Sequence, residues 1–149
     1  MDWELAAWQQ DLLATTRALL RLRAELPALR QADFFGGRPP CPDGARDLGW
    51  FAADGSPMDD ARWHDPQQRV LQAFFHGGTV GGRSALLVLC GAAVDSAVTL
   101  PGPPWATGYE LAWDSADERP PVASQPAVQV PGPVVLGARS ARLYCSLRR

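Results

Sequence analysis

Arg69-Val70-Leu71-Gln72-Ala73-Phe74-Phe75, then His76 with Gly77, Gly78, Gly81 and Gly82, then Ala85-Leu86-Leu87-Val88-Leu89-Cys90 is the stretch that decides the fold. Two strand-length apolar runs flank a glycine-rich connection, most simply a hairpin loop. The same grammar of short apolar runs separated by Gly, Pro and Asp holds from Phe34 onward and signals an all-β domain. Further strands are expected at Leu48 to Phe51, Ser96 to Leu100, Tyr109 to Trp113, Ala127 to Val130 and Arg139 to Leu147. In the last, Leu143, Cys145 and Leu147 alternate with Arg142, Tyr144, Ser146 and Arg148, which predicts a half-buried antiparallel strand with Cys145 in the core.

Upstream the period changes. Leu5, Trp8, Leu12, Leu19 and Leu26 recur at multiples of three and four, and Thr15 and Leu22 complete the stripe, so one long amphipathic helix precedes the β region. Asp2 is its expected N-cap, Pro27 ends it near Leu26, and Arg17, Arg21 and Glu25 lie on a solvated face. The division is residues 1–33 for the helical segment and 34–149 for the β domain. Ser56-Pro57-Met58-Asp59 with Asp60-Ala61-Arg62-Trp63 reads as a short capped helix with proline in its first turn. The stretch from Arg119 to Pro126 reads as a surface loop.

At 149 residues with 46% apolar content, the chain holds one ordinary core but not a (β/α)₈ barrel, which alone takes roughly 250 residues. Its net charge of −2 and scattered arginines lack the footprint of a nucleic-acid binder. Lys and Asn are absent, which excludes a P-loop lysine, a Schiff base and N-glycosylation. Cys41, Cys90 and Cys145 lack metal-ligand spacing and read as reduced thiols, so no metal or cofactor is expected. The start Met1-Asp2-Trp3-Glu4 carries no early apolar run, and no stretch approaches the ~20 apolar residues of a membrane span. A cytoplasmic location is the expectation.

The order of pieces carries a resemblance. Leu19-Leu20-Arg21-Leu22-Arg23-Ala24-Glu25-Leu26-Pro27-Ala28-Leu29-Arg30 is similar to the last barrel helix of the glycogen-debranching and isoamylase branch of glycoside hydrolase family thirteen, with Glu25-Leu26 departing from the family's histidine. Asp47-Leu48-Gly49-Trp50-Phe51, Asp54-Gly55, Met58 and Trp63-His64-Asp65-Pro66 resemble the segment that opens its C-terminal β domain. Leu86-Leu87-Val88-Leu89 and Gly108-Tyr109-Glu110-Leu111 fit downstream, while Cys90 stands where the family usually has Asn. The resemblance implies an antiparallel β-sandwich of the α-amylase C-terminal type behind the helix, in an enzyme that hydrolyses α-1,6 branch linkages. The two carboxyl groups such retaining chemistry needs, about 5 Å apart, come from barrel strands that would precede Met1. The implied role is a non-catalytic domain that supports the barrel and contacts glucan.

The residues offer few catalytic candidates. His64 and Asp65 are adjacent, which rarely directs two side chains at one another, and Pro66 marks a turn. His76 reads as an exposed loop histidine. Trp63 and Trp105, in loop contexts, are the carbohydrate-contact candidates, whereas Trp50 and Trp113 suit the core. Six side chains, Leu5, Trp8, Leu12, Leu19, Leu22 and Leu26, form an interface candidate, worth at most about 9–18 kcal/mol at roughly 1.5–3 kcal/mol each. Left in water, that stripe must fold back on the sandwich or pair with a second copy, and pairing is expected. Three readings stay open: a debranching-enzyme domain partnered by its barrel, a stand-alone protein forming a homodimer through the helix, and a weak glycan-binding module.

Overall fold

A computed structural model describes residues 4–37, 41, 44–117, 128–129 and 133–147, the pair 128–129 by its backbone alone. Helix α1 spans Ala7–Glu25, and a 3-10 turn, Pro27–Leu29, follows at once. Among the described residues eight strands follow: β1 Leu48–Phe51, β2 Val70–Phe75, β3 Ala85–Cys90, β4 Ser96–Thr99, β5 Gly108–Asp114, β6 Val128–Gln129, β7 Pro133–Leu136 and β8 Ser140–Ser146. A one-turn helix α2, Asp60–Trp63, lies between β1 and β2. The strands form a six-stranded antiparallel sheet in the order β1-β2-β3-β8-β5-β6 and a two-stranded sheet β4-β7. The chain is therefore an antiparallel β-sandwich preceded by one long helix.

Register explains how one sheet serves two cores. Gly49, Phe74, Leu86, Tyr144 and Leu111 stand opposite one another across five strands. That row faces the small sheet and joins Val98, Leu100 and Leu136 in the larger core. One residue along, Trp50, Ala73, Leu87, Leu143 and Trp113 form a second row, on the other face by the two-residue period of a strand. There Leu143 and Cys145 pack with Ala85, Leu26, Leu22 and Leu29 from the end of α1 and its turn. Strand β8 is thus covered on both faces, Leu143, Tyr144 and Cys145 all being buried, where simple alternation predicts one wet face. Cys145 lies in the core as expected.

The helix docks by its C-terminal end alone. Leu26 is 5% exposed, while Leu5, Trp8 and Leu12 are exposed, Trp8 by 66%. Its N-cap is Ala6, whose N–H donates to Gln9 Oε1 at 2.8 Å, and not Asp2, which lies outside the described residues. Pro27 ends α1 where expected, and Arg30 Nη2 donates to the Ala24 carbonyl at 2.8 Å. The loop expected from Arg119 to Pro126 lies wholly outside the described residues.

Two tight approaches join the sheets. Gly55 has φ +79°, and a Cβ there would stand 2.7 Å from the Thr99 carbonyl oxygen, so only glycine lets the β1–α2 turn meet β4. Gln72, fully buried, donates from Nε2 to the carbonyls of Ala52 at 2.6 Å and Thr99 at 3.0 Å. No described helix is long and apolar enough to cross a membrane.

Candidate functional site

The segment from Asp47 to Asp65 builds a surface around the outer edge of β1. After Phe51 the chain turns at Asp54-Gly55 and runs back beside β1, Met58 N–H donating to the Trp50 carbonyl at 2.8 Å and Pro57 bridging to Phe51. Pro57 therefore lies in this return and not in the helix, because α2 begins at Asp60 with Asp59 as its cap. Asp59 Oδ1 accepts the Arg62 N–H at 2.9 Å. The Arg62 guanidinium reaches both oxygens of Asp54, at 3.0 and 3.2 Å. With the N–H and hydroxyl of Ser56, it holds the Asp54 carboxyl well below the usual carboxylate range.

This clamp delivers Trp63 to Trp50, their ring centroids 5.8 Å apart and their planes at 71°. Both rings stay partly in water, Trp63 48% and Trp50 38% exposed. Trp105 behaves differently. It packs edge-on against Phe51 at 5.0 Å and Phe74 at 5.3 Å, and its Cη2 and Cζ3 lie 2.8 Å from where a Cβ of Gly49 would stand. Trp105 is thus anchored in the main core, and Trp50, which strand parity suggested for the core, is the second exposed ring of the site. Trp113 packs inside, under the helix. The signal for Trp50 was the turn itself, since Asp54-Gly55 folds Met58 and Trp63 back onto the strand that carries it.

Two concavities meet at Trp105. One, of about 330 Å³, is lined by Trp50, Met58, Trp63, Trp105 and Arg46 among others. The other, of about 460 Å³, lies under the β2–β3 loop. His76 lines the second and is 4% exposed, which corrects the exposed loop histidine; Gly78 N–H donates to its Nδ1 at 3.2 Å. His64 Nδ1 lies 2.6 Å from its own helix carbonyl at Asp60, and Asp65 Oδ1 accepts from Gln67 N–H at 2.8 Å, so neither side chain serves the other.

A third, apolar groove of about 420 Å³ runs between α1 and the sheet, with Leu19 on its wall. Of the helix stripe, Leu26 and Leu22 are thus committed within the chain, Leu19 borders a groove, and Leu5, Trp8 and Leu12 project. Among the described residues, no group of three or more His, Cys, Asp and Glu is placed to hold a metal ion. Arg83, just before β3, pairs with Glu110 of β5 at 2.7 Å, and Arg142 of β8 pairs with Asp114 of β5 at 2.5 Å.

No family model and no curated protein matches the chain. Among solved structures, it is similar to trehalulose synthase MutB from Pseudomonas mesoacidophila MX-45, at 16% identity and a TM-score of 0.48 over 88% of this chain. It is likewise similar to a mutant of trehalulose synthase MutB, at 16% identity and a TM-score of 0.47 over 88% of this chain. The chain spans 17% of the length of each.

Proposed function

We propose that this chain is the non-catalytic C-terminal domain of an isoamylase-type debranching hydrolase, in which α1 borders the catalytic barrel and the Trp50–Trp63 surface contacts α-glucan. The observation that carries the reading is the helix: its stripe passes from buried Leu26 to exposed Leu12, Trp8 and Leu5. Half of an apolar face covered by one's own sheet and half left in water is the form expected of an element shared between two bodies. The resemblance of the segment from Asp47 to Asp65 supports the family, and within it the Asp54-Gly55 turn brings Trp63 beside Trp50.

The glucan part rests on two adjacent exposed indoles, which offer flat apolar surface to pyranose rings. Few such contacts support affinities in roughly the millimolar range. The test is calorimetry or tryptophan fluorescence with a branched maltodextrin, alongside an assay for reducing ends. The isolated chain binds weakly and releases none. Hydrolysis that survives rigorous purification overturns the non-catalytic role, and the absence of binding at tens of millimolar sugar overturns the glucan contact.

The same projecting residues support a second reading, a homodimer through α1. Sedimentation of the native chain against Leu12→Glu/Leu19→Glu decides it: a native dimer that the variant dissolves supports pairing, and a native monomer refutes it.

A further inference from the structure

We propose that the cavity beneath the β2–β3 loop is a separate binding site for a neutral hydroxylated ring, a pyranose unit of an α-glucan; its sugar identity rests on the glucan reading above. The cavity holds about 460 Å³, within the range of small-ligand clefts. Its wall combines Trp105 with His76, Arg83, Ser84, Thr107 and Ser146. This is an aromatic surface beside convergent polar groups, the mixture that a ring with apolar faces and hydroxyl edges requires.

The hydrogen bonds decide between a neutral ligand and an anion. A glycine loop beside an arginine suggests phosphate, but here the glycine N–H groups are spent, those of Gly77 and Gly78 on Ser84 Oγ and His76 Nδ1. Val80 N–H and Gly82 N–H both go to the Gly77 carbonyl, and Gly81 N–H goes to Gly78. The Arg83 charge is matched by Glu110 at 2.7 Å, and its Nε is bound to the Ser146 carbonyl at 2.8 Å. No surplus positive charge faces the cavity from these groups.

The two serine hydroxyls serve as acceptors within the chain. Ser84 Oγ accepts from Gly77 N–H at 3.0 Å, and Ser146 Oγ accepts from Ser84 N–H at 3.1 Å. Each acceptor bond leaves the hydroxyl its own proton to give. His76 Nδ1 accepts from Gly78 N–H at 3.2 Å, which holds the ring against the glycine loop. Trp105 lines this cavity and the Trp50–Trp63 concavity alike, so the two sites are neighbours divided by one indole.

The experiment is an NMR titration of the whole chain with maltose, and with inorganic phosphate as the anion probe. Maltose shifts the Thr107 amide and the Trp105 indole N–H, and phosphate does not. Thr107 is exposed, so Thr107→Trp obstructs the mouth without entering the core. It weakens the maltose response at the Ser146 amide, which borders this cavity alone, about ten-fold, or roughly 1.4 kcal/mol. Trp63→Ala leaves the Thr107 amide response unchanged, because Thr107 lines this cavity alone. Shifts confined to Trp50 and Trp63 overturn this site and leave the glucan reading standing. Unchanged affinity in Thr107→Trp, or a cavity response to phosphate alone, overturns the site as well. Silence at both places overturns the site and the glucan reading together.

Discussion

Replacing Leu26 by Ala and, separately, Leu12 by Ala asks whether one helix stripe lives in two environments. Leu26 is 5% exposed and packs among Ala85, Leu143 and Cys145, with Leu22, Leu29 and Phe75 around them. Truncating a leucine in such a cluster removes its transfer free energy and leaves a cavity, costing about 2–5 kcal/mol. Leu12 is 60% exposed, and its truncation falls within about ±0.5 kcal/mol. In a domain of this size, the first change lowers Tm by about 5–20 °C and the second by a degree or two. Urea unfolding followed by tryptophan fluorescence gives both values, and repetition at ten-fold higher protein concentration tests whether docking occurs within one molecule. Equal effects at the two positions would refute the division of the helix into a docked and a projecting half. A Leu26→Ala cost that varies with concentration would show that the helix end is covered by another copy.

Other parts of the fold yield sharper chemical tests. Gly49→Ala sets a methyl 2.8 Å from the rings of Phe51 and Trp105, so it destabilises by about 1–3 kcal/mol and alters the near-UV circular dichroism; an unperturbed spectrum would contradict the packing of Trp105. Gln72→Leu strips a buried donor from the carbonyls of Ala52 and Thr99 and costs about 1–3 kcal/mol in a urea titration, a neutral result counting against this tie between the sheets. Burial pushes the Cys145 thiol and the Tyr109 and Tyr144 phenols above their ordinary values. The unfolded chain releases those protons first and then binds fewer than the native chain, so stability falls as pH rises, from about 8.5 through Cys145 and more steeply from about 10 through the tyrosines. Tyr109→Phe flattens the part above pH 10, and urea midpoints that do not decline from pH 8 to 11 would refute the assignment.

The sequence disclosed strands more readily than surroundings. Ala85 to Cys90 was legible to the residue, because a run of apolar residues bounded by a glycine loop has few other uses. Pro133–Leu136 went unread, although Val134-Val135-Leu136 after a proline suits a strand whose first residue makes no ladder donation. Trp50, expected in the core, stays partly in water for a physical reason. Alternation tells which residues share a face, but when both faces of a sheet are apolar it cannot say which face the chain itself covers. His76 follows the same logic, since a glycine loop suggests solvent and says nothing of the Phe74 ring beside it. The clamp of Asp54, Arg62 and Asp59 was half visible, in the carboxylates but not in the arginine that joins them.

Trp105 carries a consequence beyond geometry. Because one indole belongs to the core of Phe51 and Phe74 and also walls two concavities, occupancy and folding are thermodynamically linked through it. A ligand resting on that ring meets a surface already immobilised, so little side-chain entropy is lost on contact. The same arrangement restricts adaptation. A change at Trp105 that reshapes either concavity also loosens the packing that holds β1, and selection for a new ligand must act through the rim residues instead.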